Sequence, residues 1–270
     1  MPFLWLKFAV AFYAFGLLWA LAAVSRPCNF LSKIVLPTLG LGMVFHFVSL
    51  VESALASGHL AVSIHDSESL LAFMVVIVFL LVYWRYRTLS PGIFLFPLVF
   101  LLTFAASIGQ QPPALDSPLL RSGWLYAHIA LIFTGYAALF LSFGASILYL
   151  LQERSLKAKR MAGVFNRLPA LEVIDDIGYK SLLLGFPFMT LGLIAGSVLA
   201  QAEFGPMYFR DPKVLLSLLM WGVYMVLLYT RWNSGWRGKR AAYLATFAFL
   251  AAAGAWAANY FSGVHRFILQ

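Results

Sequence analysis

The amino-acid sequence predicts an all-α, polytopic integral membrane protein of about eight transmembrane helices, with both termini on the outer side. Of its 270 residues, 62% are hydrophobic and only 11% are charged, whereas a soluble domain is nearer a quarter charged. The mean hydropathy is +0.87, so the chain has too little polar surface to cover itself in water. The third observation is that basic residues gather between alternate apolar runs.

Eight apolar runs fill most of the chain, and a bilayer core of ~30 Å is crossed by ~20 helical residues. They lie at 3–24, 33–51, 68–84, 91–108, 124–151, 179–200, 213–230 and 240–261. Pro91 and Gly92 separate the third run from the fourth, because neither residue suits the middle of a continuous helix. The first run contains Lys7 but no small-residue cleavage site, so we interpret it as a span rather than a removable signal peptide. We expect a single membrane domain over residues 1–270.

The basic residues set the predicted orientation. Fourteen of the 19 fall in one set of loops, which the positive-inside rule assigns to the cytoplasm: Arg26, Lys33, Arg85, Arg87, Arg154, Lys157, Lys159, Arg160, Arg167, Lys180, Arg231, Arg237, Lys239 and Arg240. The net charge of +9 does not indicate nucleic-acid binding, because no basic stretch is long enough to follow a phosphate backbone. The lipid bilayer is therefore the expected partner of these charges.

The longest predicted inner connection covers residues 152–178 and mixes basic, acidic and apolar side chains. One interpretation is a solvated, partly amphipathic connector that anchors at anionic headgroups. The other is a docking site for a cytoplasmic partner protein.

All five histidines fall on the predicted outer side or in the outer half of the membrane: His46, His59, His65, His128 and His265. His128 and His265 lie at similar depth, and two neutral imidazoles that face across an apolar slot can ligate haem iron from both sides. The alternative is that each is an interfacial histidine with its polar tip among the headgroups. His46 lies within the second run, where an ionisable side chain is a candidate for function or a neutral histidine bonded to a neighbouring helix.

Several other chemistries lack their motifs. The sequence has no P-loop, no dinucleotide glycine pattern, no GxSxG elbow and no HExxH pair. Its single cysteine, Cys28, excludes both an internal disulfide and the CxxCH site to which c-type haem is attached.

Six segments, in order, resemble the cytochrome c assembly family of membrane proteins, the CcsA/ResC and HemX-like group. They are SGHLAVSIHDSESLLAF (57–73), WLYAHIALIFTGYAALFLSFGASILYL (124–150), LLLGFPFMTLGLIAGSVLA (182–200), RDPKVLLSLLMW (210–221), GWRGKRAAYLA (235–245) and NYFSGVHRF (259–267). The resemblance covers about residues 40–267, and the length suits the short HemX-like branch.

The resemblance implies haem b at the outer face, with His128 and His265 as axial ligands of the iron. It places Trp124, Tyr208, Arg210 and Asp211 around the haem, and it matches His46 to a membrane histidine of the family. The expected function is presentation of haem to apocytochrome c, together with an assembly partner protein, in the bacterial inner (cytoplasmic) membrane. Such a role is the transfer of haem and requires no catalysis of its own. The sequence leaves open whether the protein is an enzyme.

The outer loop departs from the family pattern Trp-x-Trp-Asp-Pro-Lys-Glu-Thr-Trp, because residues 208–216 read YFRDPKVLL. Aromatic planes stack on a porphyrin, so a loop without these tryptophans is expected to hold haem less well. Tyr229 stands where many relatives carry a second membrane histidine. Two alternatives to haem presentation therefore remain. One is a haem-free HemX-like regulator of haem synthesis that acts through residues 152–178, and the other is a structural subunit of a membrane complex.

Overall fold

The computed structural model describes residues 2–25, 29–57, 63–109, 122–159 and 168–257, and within these ranges it contains helices and no strand. The α-helices are α1 (Pro2–Ser25), α2 (Asn29–Ser57), α3 (Ile64–Tyr86), α4 (Gly92–Ile108), α5 (Gly123–Lys157), α6 (Leu171–Phe204), α7 (Pro212–Asn233) and α8 (Lys239–Ala257). A short 3-10 helix, Gly205–Arg210, lies between α6 and α7. The predicted all-α polytopic fold is confirmed.

Six helices in the described ranges are long and apolar enough to cross a membrane, namely α1, α2, α3, α5, α6 and α7. The apolar helix α4 is shorter, at 17 residues. Helix α8 has 19 described residues and begins with Lys239 and Arg240, and the end of the predicted eighth span, 258–261, lies outside the described residues. The orientation with both termini outside stays a prediction.

Several helices extend beyond the apolar runs that predicted them. Helix α5 continues to Lys157 and α6 begins at Leu171, so much of the predicted connector 152–178 is helical. Ion pairs one turn apart stabilise both extensions, with Lys157 Nζ 2.6 Å from Glu153 Oε1 and Lys180 Nζ 2.9 Å from Asp176 Oδ2. A hydropathy profile does not detect such turns, because their charged side chains lower the mean hydropathy of the segment.

Packing divides the chain into two compact units. Unit 1 comprises Met1–Ala114 and Leu151–Leu171, and unit 2 comprises Leu115–Leu150 and Glu172–Gln270. In unit 1, α1 packs against α2 and α4, while α3 packs against α4 and α2. Among the described residues of unit 1, the largest fully buried side chains are Tyr13, Phe79 and Leu95. The single membrane domain expected from the sequence stays a prediction.

The core of unit 2 combines large side chains from α5, α6 and α7 with small ones from α8. It contains Leu139, Leu182, Met189, Met220, Tyr224 and Leu227, packed against Ala241, Ala245, Ala248 and Ala252. Helices α5 and α6 approach closely through glycine, since a Cβ at Gly185 would lie 2.9 Å from Leu139 Cγ and 3.1 Å from the carbonyl oxygen of Gly135. Small residues at the contact bring helix backbones together in membranes, where van der Waals packing contributes much of the association.

Candidate functional site

His128 lies in the second turn of α5, and its imidazole is held by the backbone of α6. The Nδ1 atom is 2.7 Å from the carbonyl oxygen of Gly192. A carbonyl oxygen only accepts hydrogen bonds, so Nδ1 carries a proton and donates it. In the neutral ring the lone pair is therefore on Nε2. Metal-ligating histidines are commonly oriented in this way, by a second ring nitrogen that donates to a carbonyl or carboxylate.

Gly196 provides the space that this ring occupies. A Cβ on Gly196 would lie 2.5 Å from Cε1 and 2.7 Å from Nδ1 of His128. Gly192 and Gly196 are one helical turn apart and so lie on the same face of α6. Gly196, which leaves room for the ring, and the Gly192 carbonyl, which accepts its hydrogen bond, together form a shallow cradle for the imidazole edge. Any larger side chain at position 196 would displace the ring from its carbonyl partner.

The first turn of α7 brings a cation to the same end of unit 2. Asp211 caps this helix, and its Oδ1 accepts the Lys213 N–H at 2.9 Å. The Asp211 side chain is buried and Lys213 is half-buried. The ammonium of Lys213 is close enough to interact electrostatically with the His128 ring. The Lys213 amine and the His128 imidazole therefore lie at the same end of unit 2, within electrostatic range of each other.

The sequence analysis did not single out Lys213. The order Asp-Pro-Lys ahead of an apolar run does indicate the start of a helix, because Asp favours the N-cap position and Pro the first helical position. That pattern places Lys213 in the first turn of a helix, where its backbone position is fixed. Loop composition alone does not distinguish it from other basic residues.

The other residues predicted for the outer loop differ in their surroundings. Tyr208 is buried, its carbonyl accepts the Asp211 N–H at 3.0 Å, and its ring centroid is 4.2 Å from that of Phe209. Arg210 is exposed, and Trp124, in the first turn of α5, is 64% exposed. His265 lies outside the described residues, so its pairing with His128 stays a prediction.

His46 belongs to unit 1 and is fully buried. Its Nδ1 is 3.2 Å from Tyr13 Oη on α1, and its Nε2 is 2.9 Å from Ser69 Oγ on α3. The rings of Tyr13 and Phe73 pack edge-on against it. Since both ring nitrogens have hydroxyl partners, ligation of iron would require one of these bonds to break. The arrangement favours the hydrogen-bonded histidine, and the haem role of His46 stays a prediction.

Comparison with known proteins decides the family. The model of the cytochrome c assembly protein family matches residues 4–253. The chain belongs to this family. Relatives named cytochrome c biogenesis protein CcsA include those of Heterosigma akashiwo (28% identity over 223 residues), Prochlorococcus marinus (29% over 218) and Guillardia theta (31% over 204). These alignments cover 69%, 72% and 68% of this chain and 69%, 71% and 68% of the respective relatives.

The family resemblance predicted from the sequence is thus confirmed, and the protein is a multi-pass membrane protein of cytochrome c biogenesis. In this cytochrome c assembly protein, Tyr229 is 59% exposed and its hydroxyl accepts a hydrogen bond from Asn233 Nδ2 at 2.8 Å. The side chain lies on the outside of α7 rather than in the core of unit 2.

The opposite end of unit 2 in this cytochrome c assembly protein contains a well-formed ion pair. Arg231 binds Asp175 in a bidentate geometry, with Nη2–Oδ2 at 2.8 Å and Nη1–Oδ1 at 3.2 Å. The guanidinium carbon is 4.8 Å from the centre of the Tyr179 ring, and the Gly238 N–H donates to Asp175 Oδ1 at 3.2 Å. This pair connects α6, α7 and the start of α8.

Proposed function

We propose that the protein binds haem b at the end of unit 2 that carries His128 and presents it for attachment to apocytochrome c. The observation that carries the proposal is the hydrogen bond from His128 Nδ1 to the Gly192 carbonyl. In the neutral ring this bond leaves Nε2 unprotonated, with its lone pair available to a metal. Histidine ligates haem iron in this form. The names of the relatives support the biological setting.

The residues at this end suit the chemistry of haem. His128 Nε2 would ligate the iron, and Gly196 keeps the ring seated against α6. Lys213 would pair with a propionate carboxylate. Tyr208 and Trp124 would add apolar contact, and Asp211 holds the first turn of α7. His265 would be the second axial ligand, as the family resemblance implies.

Haem, when bound, supplies the porphyrin whose covalent attachment at a CxxCH site defines a c-type cytochrome. This chain has a single cysteine, whereas a CxxCH site needs two. Its residues would therefore bind and orient the porphyrin without attaching it covalently. The proposed role is therefore transfer to another polypeptide.

Haem titration of the purified full-length protein tests the proposal. The wild type should develop a Soret band on addition of haem, and His128→Ala should reduce this band strongly. His65→Ala is the matched control, because His65 is a partly exposed histidine of unit 1 with Glu68 as its partner. Equal Soret bands in wild type and His128→Ala, or none in either, would refute the role of His128.

A second candidate is a HemX-like regulator that acts through the connector 152–178. The contacts near both ends of this segment favour it, since α5 continues to Lys157 and Gln152 Nε2 donates to the Pro169 carbonyl at 3.0 Å. Photocrosslinking from the exposed Leu156 should then capture a soluble enzyme of haem synthesis. Charge reversal within the connector should leave cytochrome c maturation intact, and impaired maturation would argue against this function.

We further propose that the protein lies in the bacterial cytoplasmic membrane with both termini outside. The distribution of basic residues supports this orientation. In a Cys28→Ser background, Trp236→Cys should be labelled by an impermeant thiol reagent only after the membrane is opened. Phe209→Cys should be labelled in intact spheroplasts, and the reverse pattern would overturn the orientation.

A further inference from the structure

The turn that follows α7, together with the first two residues of α8, carries a group of exposed cations that we call the basic turn: Arg237, Lys239 and Arg240. Other basic side chains at this end of unit 2 have carboxylate partners, as in the pairs of Arg231 with Asp175 and Lys180 with Asp176. Within the described residues, no carboxylate lies within ion-pair distance of the basic turn. Three positive charges within four successive residues thus lack a carboxylate partner in the part of the protein that the structure describes.

The backbone of the basic turn is held in place by the rest of unit 2. The Ser234 and Trp236 N–H groups both donate to the Thr230 carbonyl at 3.2 Å. The Gly238 N–H donates to Asp175 Oδ1, and Gly238 has a φ of +63°. A Cβ at Gly238 would also lie 2.5 Å from Tyr149 Oη. The three cations therefore project from a fixed turn rather than from a loose loop.

Aromatic side chains place the basic turn at the level of lipid headgroups. Arg240 lies over the Trp236 ring at 6.0 Å, and Lys239 lies over the Tyr243 ring at 5.6 Å. Trp232 is 67% exposed and donates its indole N–H to Tyr179 Oη at 2.7 Å. Trp and Tyr with one apolar and one polar side are enriched at the membrane–water interface.

Exposed apolar side chains begin within about two helical turns of the basic turn. Val226 on α7 and Phe247 on α8 are both exposed, which is expected of side chains that contact lipid acyl chains. The anion that a bilayer offers at the depth of the basic turn is the phosphate of a lipid headgroup, and clustered basic residues at the ends of spans bind such headgroups.

We propose that the basic turn is a binding site for the headgroup of an anionic phospholipid. Arg237, Lys239 and Arg240 bind the phosphate, while Trp232, Trp236 and Tyr243 contact the glycerol region and the upper acyl chain. The Asp175–Arg231 pair holds the backbone from which the three cations project, through the bond from the Gly238 N–H to Asp175. This site is separate from the haem site proposed around His128, and it does not depend on haem binding.

Competition between lipids tests the site. The full-length protein is equilibrated with equimolar phosphatidylglycerol and phosphatidylcholine in mixed micelles, and the retained lipids are counted by native mass spectrometry. The wild type should prefer phosphatidylglycerol, and Arg237→Gln/Lys239→Gln/Arg240→Gln should lower this preference by at least about fivefold, because each basic side chain near an anionic surface contributes a factor of roughly this size.

Lys33→Gln/Arg85→Gln/Arg87→Gln is the matched control, since it removes three exposed cations that are not gathered in one turn. It should retain the wild-type preference, as should Arg237→Lys/Arg240→Lys, which keeps the charge. Elution from size-exclusion chromatography confirms that each variant is folded. An equal loss in the control triple variant would mean a general charge effect and would overturn the site. Displacement of phosphatidylglycerol by inorganic phosphate would identify a free-anion site and would overturn the lipid assignment.

Discussion

Replacing Gly196 with alanine should show how much of the haem affinity depends on the position of the His128 ring, because the histidine itself is unchanged in this variant. The new Cβ would lie 2.5 Å from Cε1, whereas ordinary contact begins at 3.4 Å. The ring must therefore retreat from α6 by about 0.9 Å, the difference between these two values. A movement of this size away from α6 lengthens the 2.7 Å bond from Nδ1 to the Gly192 carbonyl to about 3.6 Å, beyond hydrogen-bonding distance.

Loss of this bond frees the tautomer and the orientation of the imidazole. Removal of such an outer partner typically costs about 10- to 100-fold in metal affinity, so the haem dissociation constant of Gly196→Ala should rise by a factor in that range. The assay is a Soret titration of the purified protein at constant detergent concentration. The histidine is unchanged in this variant, so a weaker band reports geometry rather than loss of the ligand.

Gly222→Ala is the matched control, because a Cβ at Gly222 on α7 has no atom within 4 Å. It changes the same type of residue in the same unit and should bind haem as the wild type does. If Gly196→Ala elutes as a folded protein and binds haem with wild-type affinity, the cradle has no role in ligation. Equal weakening in Gly222→Ala would show that helix flexibility, rather than contact with His128, governs binding.

Three further outcomes follow from the structure. Lys213→Gln should weaken binding of haem by about tenfold, the effect of losing roughly 1.4 kcal/mol from one charge-assisted contact, but should leave binding of haem dimethyl ester unchanged because the ester has no free carboxylate. Equal weakening for both ligands would contradict a propionate contact. Asp175→Asn leaves Arg231 without its bidentate partner and should lower the unfolding free energy by roughly 3 kcal/mol, measured by denaturant titration in micelles. Lys180→Gln, at an exposed pair, should cost less than about 1 kcal/mol, and similar losses would argue against a special role of the Asp175 pair. His46→Ala should destabilise the protein by roughly 3 kcal/mol through the cavity and the two hydroxyl groups left unpaired, with the Soret titration unchanged. A lost Soret band would instead restore His46 as a haem residue.

The apolar runs predicted where helices lie, because the length and apolarity of a span are properties of one contiguous segment. They did not predict where the helices end. Helix α2 runs on past Glu52 to Ser57, and α5 and α6 extend into the polar connector. Turns outside the apolar core are stabilised by capping and by charge pairs such as Glu153–Lys157, which add little to a hydropathy profile.

The candidate site was predictable only in part. His128 was predicted because a neutral imidazole can ligate haem iron, and the family resemblance selected it among the five histidines. Its partners Gly192 and Gly196 lie 64 and 68 positions later in the chain, so no local pattern connects them to it. The same holds for His46, whose partners Tyr13 and Ser69 are 33 and 23 positions away.

The sequence by itself determined the solvent of this protein and the approximate number of its helices, because burial in lipid requires long apolar segments whatever their arrangement. It also predicted that the histidines and most of the basic residues lie toward opposite sides of the membrane. Only the tertiary structure decided which nitrogen of His128 has a hydrogen-bond partner, that Lys213 lies at the same end of unit 2, and that both nitrogens of His46 have hydrogen-bond partners. Those properties depend on distances between helices that are far apart in the chain, and composition and periodicity contain no information about such distances.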